Sequence, residues 1–151
     1  MIAIATALHA LAAVIWVGGM FFAYMALRPA LGENSPAERI GVWRRTFPRF
    51  FTWVWASVIV LLVTGYWIIF VEWGGFAVAG IHVHVMHMLG LIMVLLFLHL
   101  FFAPWRRMRR AADEGDLAEA GRQTGQIRII VAINLVLGLI VVAIGAGGRY
   151  W

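Results

Sequence analysis

The sequence predicts an all-α fold: a bundle of four transmembrane helices forming one integral membrane domain over residues 1–151. Three observations predict it. Hydrophobic residues make up 64% of the chain and charged residues 13%, against about half and about a quarter in a soluble domain. Four apolar stretches, near residues 2–27, 50–71, 81–103 and 129–147, each have the roughly twenty residues that cross a bilayer as a helix. Arginines gather between alternate stretches, as they do in multi-pass proteins.

The first stretch has no charged leading segment and is longer than a signal-peptide core, so it reads as a helix of the mature protein. The connection after it carries Arg28, Arg39, Arg44, Arg45 and Arg49. The second and third stretches are joined by a short turn over residues 72–80. After the third come Arg106, Arg107, Arg109, Arg110, Arg122 and Arg128, with Asp113, Glu114, Asp116 and Glu119 among them. Residues 113–126 there predict a short surface helix, weakened by Gly115, Gly121 and Gly125. The fourth stretch ends before Arg149, the one basic residue outside the two Arg-rich connections. The positive-inside rule then places those connections in the cytoplasm and both termini outside, in a bacterial inner membrane. The arginines serve topology and lipid headgroups, with no support for nucleic-acid binding.

Absence of cysteine excludes disulfides, thiolate metal sites and a Cys nucleophile. No G-x-S-x-G, P-loop, H-E-x-x-H or acid pair points to hydrolase or nucleotide chemistry. Thr6, Ser57, Thr64 and Asn134 suit hydrogen bonds between helices, and Gly18, Gly19, Gly65 and Gly138 suit close packing. Met20, Met25 and Met93 read as core filler.

The histidines are the informative residues. His9, His82, His84, His87 and His99 all fall in the first and third stretches, and ionisable groups inside a membrane usually mark a site. His9 lies nineteen residues before Arg28, and His87 nineteen before Arg106. Both are therefore about 28 Å from the Arg-rich boundary. At 100° per residue His84 and His87 share a helix face, and His82 points away. Trp16 and small residues lie near His9, and Gly90 lies one turn below His87. Such surroundings admit a flat macrocycle, with His9 and His87 as axial ligands of a b-type haem and His84 as substitute for His87. Arg149 is placed to pair with a haem propionate. His99, about 18 Å below His87, suits a second cofactor, a quinone, a proton path or a helix–helix hydrogen bond. The alternative is copper: His84, His87 and Met88, within the run His82-Val-His84-Val-Met86-His87-Met88, combine imidazole with thioether.

Several motifs carry a family resemblance: Leu8-His9 with Trp16-Val17-Gly18-Gly19, Trp43-Arg44-Arg45, Thr64-Gly65-Tyr66-Trp67, the third-span histidines and Gly125-Gln126-Ile127-Arg128. In this order they resemble the CopD (copper-resistance D) membrane family, and are similar to the HemJ type of protoporphyrinogen oxidase. The HemJ likeness implies a haem-dependent oxidoreductase with His9 as a ligand; the Lys expected in its third span is absent, and His87 stands near that position. The CopD likeness implies copper uptake or resistance. The favoured expectation is a haem b electron-transfer or oxidation protein with a redox partner or quinone, able to form homo-oligomers. Copper transport is the alternative.

Overall fold

The structure is a computed structural model that describes residues 1–148. Arg149 and Trp151 lie outside the described residues. Four long helices are apolar and long enough to cross a membrane: span one, Ile2–Ala30; span two, Pro36–Glu72; span three, Ile81–Asp113; and span four, Leu117–Gly147. Described residues contain no strand. The architecture is the all-α bundle expected, and the protein is a multi-pass membrane protein.

The helices run further at the Arg-rich end than hydropathy alone indicates. Arg39, Arg44, Arg45 and Arg49 lie on the helix of span two, not in a loop. Its start is fixed by a capping box. The Glu38 amide donates to Ser35 Oγ, the Glu38 carboxylate accepts from the Ser35 amide at 2.8 Å, and Pro36 occupies the first turn. The expected surface helix over residues 113–126 is corrected. Pro104, which has no N–H to donate, opens a separate helix, Pro104–Asp113, after a break at Ala103. That helix buries Pro104, Trp105, Met108 and Ala111 and exposes Arg106, Arg107, Arg109 and Arg110. Gly115, at φ 78°, ends it: the Asp116 amide donates to the Ala111 carbonyl and the Gly115 amide to that of Ala112. Asp116 then caps span four by accepting from the Glu119 amide at 2.9 Å. Gly121 and Gly125 sit inside that span.

Span one packs along span two, and span four packs against both span three and span one. Spans two and three are joined mainly by rings. Phe51 meets Phe97 and Trp105 edge-on at 5.8 and 5.6 Å, and Trp55 meets Phe97 and Phe101 at 5.3 and 5.5 Å. Trp16 reaches across from span one to Phe97 at 6.2 Å. Edge-to-face pairs of this kind add about 0.5–1.5 kcal/mol each beyond the area they bury.

Polar contacts pin particular levels. Asn134 Nδ2 donates to the Met93 carbonyl at 3.2 Å, tying span four to span three. A Cβ on Gly138 would stand 2.8 Å from Val17 and 3.1 Å from Met93, so its absence lets spans one, three and four meet. Gly19 makes similar room for Phe50, whereas Gly18 faces open space. Met20 and Met93 are buried as expected of filler, and Met25 is exposed. Gly138→Leu is expected to overpack this crossing and cost about 1–3 kcal/mol, read as a lower midpoint in detergent–SDS unfolding. An unchanged midpoint would remove the close crossing.

Candidate metal-binding end

The histidine-bearing end is shaped by one turn. Gly74 and Gly75 have φ of 77° and 117°, conformations that side-chain-bearing residues rarely adopt. They reverse the chain after span two, and the Gly75 amide is anchored on the Ile69 carbonyl at 2.8 Å. The reversal throws Phe76 back over span three. Its ring lies 4.9 Å from His87 and 5.7 Å from His84, and a further 5.6 Å contact seats it on Phe70. His84 and His87 therefore share a face, as their spacing requires.

His87 has a second partner. Its Nε2 lies 3.0 Å from the Tyr66 hydroxyl, with the rings edge-on at 5.6 Å. His84 is exposed and His87 half-buried. Met88 follows His84 by four residues, so it falls on the same side of the helix; its side chain is exposed. Met86 points elsewhere: its sulfur lies 3.2 Å from where a Gly145 Cβ would be, packed against span four. His82 also turns away, resting edge-on to Trp73 at 6.4 Å and beside Gly148.

His9 is held from span two. The Thr64 hydroxyl donates to the Val60 carbonyl at 2.6 Å, which spends its proton on its own helix. Its oxygen is then the acceptor for His9 Nδ1, 2.8 Å away. Nδ1 must therefore carry the ring proton, and Nε2 keeps the lone pair that a metal takes. Gly65 leaves 3.2 Å between the His9 ring and the position of a Cβ, so a larger residue would crowd the imidazole. Trp16, the aromatic neighbour noted beside His9, is buried against Phe97.

Residues 64 and 66 diverge by about 200° around the helix. Span two thus secures His9 and His87 from different sides. No hydrogen bond or ring contact joins the two among the described residues. The set presents a matched pair in His84 and His87, plus a separate oriented imidazole in His9. His99 is exposed on the outward face of span three, and its side chain has no hydrogen-bond partner among the described residues. Nor do three His, Asp or Glu residues converge there on one point.

Sequence reasoning passed over Tyr66 and Phe76 as partners of the histidines. Tyr66 was visible only as part of the Thr64-Gly65-Tyr66-Trp67 motif. Phe76 had a signal in the Gly74-Gly75 pair before it, which marks a reversal but not its target.

Fold and site together define a four-span helical membrane protein with imidazole and thioether donors clustered at one end. The chain belongs to the copper-resistance protein D (CopD) family, whose family model, described as Copper resistance protein D, matches residues 44–147. Neither the curated proteins nor the solved structures contain a match to it. The matched region includes Thr64, Tyr66, His84, His87 and Met88, and begins after His9.

The Thr64 contact has a checkable consequence. In protein labelled with 15N at histidine, His9 should appear as the Nδ1–H tautomer, and Thr64→Val should shift it to a mixture with Nε2–H. A tautomer unchanged by the substitution would remove Thr64 as the orienting partner.

Proposed function

We propose that this protein handles copper ions at its histidine-bearing end, with Cu(I) as cargo held by His84, His87 and Met88. The observation that carries the reading is the pairing of His84 with His87 beneath Phe76 in a copper-resistance family chain. Imidazole and thioether suit Cu(I). Zinc sites usually complete four ligands from Cys, His and carboxylates, and no group of three His, Asp or Glu is assembled among the described residues. Two imidazoles and one thioether make a small, half-open donor set. A site that must release its ion needs that openness more than a closed cage.

Phe76 and the Tyr66 hydroxyl hold His87 in place and set what an arriving ion must displace. When the Tyr66 hydroxyl is the donor to His87 Nε2, binding there requires Tyr66 to swing away. His9, with its Nε2 lone pair already oriented, is the next imidazole able to take the ion. By the positive-inside rule the histidine end faces outward and the Arg-rich end the cytoplasm of a bacterial inner membrane, so the copper site meets ions arriving from outside.

Titration of the detergent-purified protein with Cu(I) against a coloured competing chelator tests this. His84→Ala with His87→Ala should weaken binding at least tenfold, and Met88→Leu several-fold. Met86→Leu should change nothing, because that sulfur faces Gly145. A reduced-minus-oxidised absorption spectrum of the same sample is the counter-test. A b-type band with stoichiometric iron and no retained copper would overturn the copper reading in favour of haem b on His9 and His87.

A further inference from the structure

A cleft of about 680 Å³ opens at the opposite end of the molecule, between spans one, two and four. Its rim carries Arg28, Arg39 and Arg128, and no acidic residue lines it anywhere. Among the described residues these three guanidinium groups form no salt bridge, unlike Arg44, Arg110 and Arg122. Arg28 is held over the Tyr24 ring, 5.1 Å from its centroid, which fixes its charge at the rim. Below the rim the walls turn apolar, with Phe22, Phe50 and Phe51 reaching down to Gly19. Gly19 precedes Arg28 by nine residues, so the cleft runs inward about 13 Å along the helix axis.

Two local features keep it open. Span one changes to a π-helix over Ala23–Leu27, a wider turn found often at functional sites. Across the cleft, Gly121 and Gly125 stand one turn apart on span four, and a Cβ on either would meet nothing within 4 Å. They leave a smooth, unfilled wall.

We propose that this cleft binds one anionic phospholipid, its phosphate on Arg28, Arg39 and Arg128 and an acyl chain along the aromatic wall toward Gly19. Charge selects the occupant. Three cations without a salt bridge, in a lining that holds no carboxylate, repel a cationic ligand and favour a net-negative headgroup over a zwitterionic one. Depth selects it too, because a free anion would leave the apolar lower part unused. The site is independent of the copper site, which lies at the other end.

The test is lipid retention by the detergent-purified protein, read by native mass spectrometry. Phosphatidylglycerol and phosphatidylcholine with identical chains are offered in parallel. One phosphatidylglycerol per chain should be retained at least tenfold more strongly than phosphatidylcholine. Arg39→Gln with Arg128→Gln should bring it down to the phosphatidylcholine level. Gly125→Leu, which keeps every charge and raises helix propensity, should lower retention of both lipids by filling the wall. Equal retention of the two lipids, or retention unmoved by Gly125→Leu, would overturn the proposal. So would displacement of the lipid by millimolar inorganic phosphate, which would make this a free-anion site.

Discussion

Every backbone N–H and C=O inside a bilayer needs a partner within the protein, and the rest of the structure follows from that constraint. It makes the four spans helical, with backbone groups bonded within their own helix and the Met93 carbonyl also accepting from Asn134 of span four. Side chains must then supply whatever joins one helix to another. In the lower half that task falls to rings, with Phe51, Trp55, Phe97 and Trp105 interlocking spans two and three. Elsewhere it falls to a few polar groups, each of which must settle its own hydrogen bonds first. Thr64 does so by donating to Val60, and only then can it accept from His9. The tautomer of a candidate ligand is set by a backbone carbonyl one turn away on another helix.

The same constraint explains what the sequence disclosed. Hydropathy located the middles of the spans because lipid tolerates little else there. It stopped short of the helix start in span two, where helix runs on through Arg39–Arg49, whereas its end for span three coincides with the break at Ala103. Arginine is a good helix former, so charge marks where lipid stops and not where the helix does. Local stop signals were more faithful: Ser35 with Glu38 starts one helix, and Gly115 ends another.

Within the candidate site, intrahelical relations were legible and interhelical ones were not. The 100° step placed His84 with His87 and turned His82 away, and Phe76 and Trp73 contact them accordingly. Depth arithmetic put His9 and His87 at one level. It carried no information on which side of span two each would lie, because helix rotation is set by packing. The contacts of Thr64 with His9 and of Tyr66 with His87 needed the folded chain to be seen.

The two ends of the bundle use different chemistry, and the choice of cation at one of them is informative. All twelve basic residues are arginine, and lysine is absent. A topology signal alone is satisfied by either residue. A planar guanidinium offers forked donors that match phosphate oxygens, stacks on aromatic rings and keeps its charge at any physiological pH. Arg28 over Tyr24 displays the stacking directly. At the histidine end the side chains are imidazole and thioether, donor types that suit a soft cation. The two ends thus fit the occupants proposed for them, an anionic headgroup at one and a soft metal ion at the other.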